Sequence, residues 1–229
     1  MLLWVMPALL LATAQAQDAP RLTAEFAGSK TLAVQNKVDE LFENGEFERA
    51  YFIYRNELVP VGDKYAQYMV GYMHLIGLGV IEDEVRASAW YRLAAERDYP
   101  EFVAVRNQVI DALDDEERRA SDEAYIELRK QYSDVVLIMA LLRKDIFAGR
   151  KRVTGSRLSS GGPVMVVNPA GVGVSGDHYF GQIETRIQMR LDYVTAKLGI
   201  ERISTKIDSK QFYELRAKVD DYLSTVNDR

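Results

Sequence analysis

Histidine and cysteine, two side chains that often carry out catalysis or bind metals, are scarce or absent in this sequence of 229 residues. Its two histidines, His74 and His178, lie far apart. There is no cysteine, which excludes disulfides, thiol catalysis, thiolate metal sites and a lipid-anchoring cysteine. The sequence also contains no nucleophile-elbow serine and no HExxH motif. We therefore expect no catalytic residues, no cofactor and no metal site, and we predict that the protein is not an enzyme.

One pair of residues could still bind a metal ion or act in acid-base catalysis. Asp177 and His178 follow a Gly-rich segment, and Glu184 lies about two helical turns further on. A single histidine with scattered carboxylates lacks the convergent spacing of real metal or acid-base sites, and Asp177 as a helix cap also accounts for the pair. The alternative functional hypothesis is an enzyme that acts on an envelope polymer near Asp177 and His178. His74 is predicted to be packed in the core or in a groove.

Basic side chains gather in one stretch of a chain whose net charge is -5. Asp145 is the acidic residue that opposes them. One interpretation is a solvated helix end that complements the helix dipole, and the other is a patch for an anionic partner. The acidic balance of the whole chain argues against nucleic acid as a partner. The patch consists of Arg143, Lys144, Arg150, Lys151, Arg152 and Arg157.

The N-terminal segment, residues 1–16, has the pattern of a signal peptide. An apolar run from Leu2 to Leu11, too short to span a bilayer, is followed by the small-x-small sequence Ala14-Gln15-Ala16. We expect a mature chain that starts near Gln17, although no Lys or Arg precedes the run. No second apolar stretch approaches 20 residues, so the expected product is not an integral membrane protein, and a bacterial periplasm is the predicted destination.

The rest of the chain is predicted to be all-α. After a polar lead-in at 17–30, apolar residues recur at helical spacing across 31–132, which we interpret as a domain of stacked helical hairpins. Its central hairpin joins a helix from Lys64 to about Ile76 with one from Glu84 to about Arg97, and Asp63 and Asp83 are their predicted caps. Gly71 in the first helix is costly unless another helix comes close.

This central hairpin resembles the SEL-one-like repeat (SLR), a relative of the tetratricopeptide repeat, over residues 66–102. The resemblance rests on a GxGV turn followed by WY and AA at fixed offsets. It implies a solenoid-like α/α repeat fold and an adaptor role. His74, Ile81 and Asp98 depart from the family pattern, which usually has an aromatic residue, Pro and Gly there. The signature residues are Ala66, Gly71, Gly77, Gly79, Val80, Ala87, Trp90, Tyr91, Ala94 and Ala95.

The C-terminal region, 133–229, is predicted to be helical around a loop. An apolar helix over 135–142 comes first, and a Gly-, Ser- and Pro-rich loop follows at 154–177. Val164 to Val167 and Val172 to Val174 are expected to pair as a small β-hairpin inside this loop, which is otherwise a flexible linker. Two amphipathic helices, from near Tyr179 to Leu198 and from Asp208 onward, close the chain.

Together these features favour a periplasmic scaffold or adaptor for protein-protein interaction in a cell-envelope assembly. Its partner would be another envelope protein or a peptide segment, because a single well-formed repeat makes only a short groove. An anionic surface that the basic patch contacts is the further partner that the sequence suggests.

Overall fold

The computed structural model describes residues 29–151, 165–167 and 173–225. The chain divides into two compact units, one of residues up to Asp134 together with those from Leu223 onward, and one of Val135–Tyr222. The predicted signal peptide and nearly all of the polar lead-in lie outside the described residues. None of the helices in the described ranges combines the length and the hydropathy that crossing a bilayer requires.

The first unit is built from helical hairpins, as the apolar periodicity predicted. The helix Phe47–Ile53 continues through a π-helical turn, Tyr54–Leu58, and a 3-10 turn, Val59–Val61. The helix Glu84–Ala94 continues through a 3-10 turn, Ala95–Arg97. The α-helices are α1 Ser29–Glu43, α2 Phe47–Ile53, α3 Lys64–Ile76, α4 Glu84–Ala94, α5 Pro100–Ala112 and α6 Asp115–Tyr132.

The predicted helix caps are present. The Asp63 carboxylate accepts a hydrogen bond from the Ala66 amide at 3.1 Å, and the Asp83 carboxylate accepts one from the Arg86 amide at 2.8 Å. Asp114 forms a reciprocal capping box at the start of α6. Each cap satisfies an amide that the first helical turn leaves unbonded, so these residues fix where their helices begin.

Helix α3 lies at the centre of the first unit. Twelve of its thirteen residues are buried, including the polar Lys64, Gln67 and His74. The Phe42 ring of α1 lies 6.4 Å from the Tyr72 ring, and the Phe102 ring of α5 stacks on Tyr68 at 5.3 Å. Neighbours on several sides therefore bury the whole circumference of α3, which is how a core helix differs from an amphipathic surface helix.

The second unit contains α7 Asp134–Lys151, whose first residue belongs to the first unit, and then β1 Met165–Val167, β2 Gly173–Ser175, α8 Gly176–Leu198 and α9 Ser209–Leu223. The two strands pair antiparallel, with Val166 opposite Val174, so the predicted hairpin is confirmed. Its turn at 168–171 lies outside the described residues. The helices bury one face each, through residues that include Leu142, Ile146, Ile183, Ile187, Leu191, Val194, Phe212, Leu215 and Val219.

The all-α prediction with a small β-hairpin is confirmed, and one boundary in the second unit differs. Helix α8 begins at Gly176, three residues before the predicted Tyr179, so Asp177 lies in the first turn of the helix and is not its cap. Helix α7 contains the predicted apolar segment 135–142 and continues through the basic residues that follow it, up to Lys151.

Candidate interaction site

The small residues of the central hairpin allow α3 and α4 to pack at close range. A Cβ atom added to Gly71 would lie 3.2 Å from the Trp90 Cβ and 3.3 Å from the Ala87 carbonyl oxygen. These distances are tighter than nine in ten real Cβ contacts, so Trp90 and the Ala87 backbone would have to move by a few tenths of an ångström to admit even a methyl group. The structure also places the other small residues of the signature in the core, namely Ala66, Ala87, Ala94 and Ala95.

The turn after α3 packs against the preceding hairpin. Gly77 ends the helix with φ +69, and Gly79 continues the turn with φ +67. A Cβ added to Gly79 would lie 2.4 Å from the Phe47 carbonyl carbon and 2.6 Å from the Glu48 amide nitrogen. The turn backbone therefore lies directly on the first turn of α2, at a distance that only glycine permits.

The hairpin ends in a left-handed residue as well. Asp98, at the place where the resemblance leads one to expect Gly, has φ +58 and is the one non-glycine residue with positive φ among the described residues. Aspartate tolerates this conformation better than most residues do. The departure from the family pattern at Asp98 thus keeps the backbone geometry.

A buried cluster of charges, which the sequence analysis missed, joins the two ends of the hairpin. The Lys64 ammonium, 2% exposed, lies 2.8 Å from the Glu96 carboxylate and 3.4 Å from the Asp134 carboxylate. The Arg97 guanidinium donates to both Asp134 oxygens, at 2.6 and 2.7 Å. Two cations and two anions balance each other, which is what burial of charge requires.

Asp134 remains charged in this cluster. Burial by itself would raise the pKa of its carboxyl group, but the Lys64 and Arg97 cations outweigh that effect and hold the pKa below its ordinary value. The Asp134 amide also donates to the Glu96 carboxylate at 3.0 Å. Lys64, Glu96 and Arg97 thus fix Asp134 beside the ends of the central hairpin, within the first unit. A lysine at the first position of an otherwise apolar helix was the sequence signal for such a cluster.

His74 is a packed histidine, as predicted. It is 5% exposed, and its Nε2 lies 3.2 Å from the Tyr51 hydroxyl of α2. Burial lowers the pKa of the His74 imidazole, since a charged ring would lose its hydration there. His74 therefore takes the place of the aromatic residue that the resemblance leads one to expect.

Arg55 ties the first hairpin to residues further along the chain. Its guanidinium lies 5.1 Å from the Trp90 ring centroid and 4.7 Å from the Tyr132 ring centroid, and it donates a 2.8 Å hydrogen bond to the Tyr132 hydroxyl. Cation–π contacts and a hydrogen bond together restrict a long side chain to one arrangement. The surface around Tyr51 and Arg55 is consequently held in a defined shape.

The exposed part of the central hairpin is its turn end. Ile81 is 86% exposed, and Arg86 is exposed beside Asp83, to which it forms an ion pair of 3.2 Å. Tyr51 of α2 is partly exposed, and burial raises the pKa of its hydroxyl although the Arg55 and Arg86 cations act in the opposite direction. We call Tyr51, Ile81 and Arg86 the repeat edge. The sequence analysis noted Ile81 as a departure from the family, and its apolar character in a turn was the signal.

The expected short groove is not lined by α3. Because its residues from Lys64 to Leu75 are buried, this helix offers no open face to a partner. The sequence pattern could not indicate this, since burial on every side depends on contacts with α1, α2 and α5. The turn end of the central hairpin, which carries Ile81 and Arg86, is accessible.

The basic patch is only partly described. Arg143 and Lys144 are exposed on α7. Arg150 and Lys151 belong to the same helix, but their side chains lie outside the described residues, as do Arg152 and Arg157 entirely.

Asp145 does not oppose the basic patch as the sequence analysis assumed. It is 8% exposed, and Arg190 and Arg186 of α8 pair with it, the latter at 3.3 Å. Neighbouring residues on a helix point in different directions, so adjacency in sequence did not bring Asp145 to its basic neighbours.

The pair Asp177 and His178 is not gathered into an enclosed site by the described residues. His178 is exposed, and its Nε2 lies 2.9 Å from the Gln182 side-chain nitrogen one turn along α8. An open depression of about 550 Å³ there is lined by residues of α8 alone, including Gly181, Thr185 and Arg186. The Asp177 side chain lies outside the described residues. No group of side chains suited to a metal ion occurs in the described part of the chain.

Comparison with protein families gives one match. Residues 64–99 match the family model of the Sel1 repeat, which confirms the resemblance for one repeat. Sel1 repeats mediate protein-protein interactions, and this chain contains one of them. Neither the curated proteins nor the solved structures include a match to the chain.

Proposed function

We propose that this Sel1-repeat protein is a non-catalytic scaffold, exported to the periplasm, that holds another protein or a peptide segment of a cell-envelope assembly. The observation that carries the proposal is the repeat edge. Ile81 is 86% exposed at the tip of a hairpin whose helices are largely buried. A large apolar side chain held out to solvent on a rigid support is typical of a contact point for another protein.

The rigidity of the support favours binding. Gly79 lies against the backbone of α2, and the Tyr51 hydroxyl contacts His74, so the turn and its neighbour are fixed before a partner arrives. A preorganised surface loses little conformational entropy on binding. Tyr51 and Arg86 are residue types that interfaces favour, and together with Ile81 they suit a partner that presents an apolar side chain and a carboxylate.

Export is supported by the sequence of residues 1–16 alone. The apolar run and its Ala14-Gln15-Ala16 end fit a cleaved signal peptide, and the lack of cysteine suits any compartment. Fractionation of the native cells, followed by N-terminal sequencing, tests this point. We expect a periplasmic chain that begins near Gln17. An uncleaved chain in the cytoplasm would contradict the proposed location.

The scaffold role is tested by site-specific crosslinking in cells. A photoreactive residue at position 81 should give a discrete crosslinked product, which mass spectrometry can identify. Position 189 provides a matched control, because Met189 is 66% exposed on α8 and lies outside the repeat edge. Equal crosslinking at both positions, or none at position 81, would contradict an interface at the repeat edge. The variant Arg86→Glu should weaken the product at position 81.

A further inference from the structure

The exposed face of α7 carries cations beside an aromatic ring. Arg143 and Lys144 are exposed, and Phe147 is 44% exposed although it is a large apolar residue. The Arg143 guanidinium lies 5.7 Å from the Phe147 ring centroid. A cation and an aromatic ring one turn apart on a helix thus form a single surface, which we call the α7 face.

Helical spacing places Arg143 and Phe147 on the same side of α7. At 3.6 residues per turn, positions four residues apart lie about 40° apart around the helix axis. Leu142 and Ile146, by contrast, are buried. The helix is therefore amphipathic in an unusual way, since the side away from the core combines positive charge with an apolar ring.

No acidic side chain of α7 neutralises this face. The acidic residues of the helix are Asp134 and Asp145, and both are buried in ion pairs with other residues. Arg143 and Lys144 form no ion pair with any residue that the structure describes. Positive charge therefore accumulates locally in a chain whose net charge is -5.

We propose that the α7 face binds the anionic headgroups of a lipid bilayer. Cations that contact phosphates, together with an aromatic ring that enters the boundary between headgroups and acyl chains, are the arrangement by which a helix lies on a membrane surface. Phe147 suits a lipid surface, because an exposed ring beside the cations can enter the boundary between headgroups and acyl chains while the cations contact the phosphates. The protein would then be held at a membrane surface without crossing it.

The experiment is vesicle co-sedimentation of the full chain, with phosphatidylglycerol in phosphatidylcholine compared with phosphatidylcholine alone. All variants share the apolar N-terminal run, so any vesicle binding that this run contributes is the same in every variant and does not affect the comparison. We expect binding to anionic vesicles that falls with added salt. The variant Arg143→Glu with Lys144→Glu should weaken it about thirty-fold or more. Phe147→Ser should weaken it by a smaller factor while leaving most of the salt dependence.

A second double variant controls for the change in net charge. Lys210→Glu with Arg216→Glu changes the net charge equally, at exposed positions of α9. This variant should bind like the wild type. Equal loss in both double variants, or no preference for anionic vesicles in the wild type, would overturn the proposal. If lipid binding is absent but a protein is lost from pull-downs with the Arg143→Glu and Lys144→Glu variant, the α7 face binds an acidic protein and the lipid proposal is wrong.

Discussion

The packing around two helical glycines differs between the central hairpin and the C-terminal unit. Gly71 of α3 is in contact range of Trp90 and the Ala87 backbone, whereas a Cβ added to Gly181 of α8 would meet no atom within 4 Å. Both residues cost helix stability by the same intrinsic amount. At Gly71 the close packing of α3 on α4 compensates for the lost helix stability, whereas no described contact compensates for it at Gly181. The central hairpin therefore depends on close backbone packing at its helical glycine, whereas α8 makes no such contact at Gly181.

The central hairpin and the C-terminal unit also differ in how they bury charged side chains. The central hairpin encloses a balanced cluster of two cations and two anions around Lys64 and Asp134. The C-terminal unit pairs a single carboxylate, Asp145, with Arg190 and the more exposed Arg186. Enclosed charges need their partners in fixed positions, whereas half-exposed ones can return to water. The following predictions test this contrast, in order of expected effect.

The largest effect is expected from Gly71→Leu. Four added carbon atoms have no space between α3 and α4, so the first unit should lose its cooperative unfolding transition, at a cost above about 3 kcal/mol. Trp90 fluorescence during denaturation measures this, because the other tryptophan, Trp4, lies in the predicted signal peptide. Gly181→Leu is the control and should unfold almost as the wild type does. An unchanged melting temperature for Gly71→Leu would contradict the packing argument.

Gly79→Ala comes next, at about 3 kcal/mol. The methyl group would overlap the Phe47 backbone, and the residue would also need to keep its positive φ. Gly45→Ala separates the two causes, because Gly45 has φ +77 but no atom within 4 Å of an added Cβ. It should cost only about 1 kcal/mol. Equal losses in urea denaturation would mean that backbone strain, and not docking on α2, explains Gly79.

Asp134→Asn should cost about 2 kcal/mol, because it keeps the shape but removes the charge that Lys64 and Arg97 face. The sign of its pH dependence follows from the lowered pKa of Asp134. A carboxyl group whose pKa is lower in the folded state stabilises the fold above its unfolded pKa of about 3.9, and this stabilisation is lost as the pH falls further. The wild type should therefore lose stability below about pH 4 more steeply than the variant does. Parallel pH profiles from urea titrations would contradict the role of the Asp134 charge.

The smallest effect is expected from Gly181→Ala, and its sign is opposite. With open space around the added methyl group, the variant should gain up to about 1 kcal/mol from better helix propensity. Hydrogen exchange of the α8 amides measures the gain. Gly71→Ala, the corresponding change in the central hairpin, should instead destabilise. A loss of protection in Gly181→Ala would show that a contact at Gly181 matters.

Prediction from the sequence worked best where local chemistry decides the outcome. The caps Asp63 and Asp83 and the glycine Gly77 act through neighbouring backbone groups, so their positions in the chain suffice to place the helix ends. The alternation of valines similarly predicted the hairpin of β1 and β2. Prediction failed for Asp145. This residue was expected to oppose the basic residues of its own helix, but Arg186 and Arg190 of α8 pair with it.

The sequence by itself determined the helical hairpins, their ends and the Sel1-repeat signature, because helix caps, turn glycines and apolar periodicity act over a few residues. Only the tertiary structure decided that α3 is enclosed on every side, that Lys64 and Asp134 meet, and that Ile81 is left exposed. These outcomes depend on side chains that are distant in the chain and that packing brings within a few ångströms of each other. Periodicity reports which face of a helix is apolar, but it does not report how many neighbours will cover that helix.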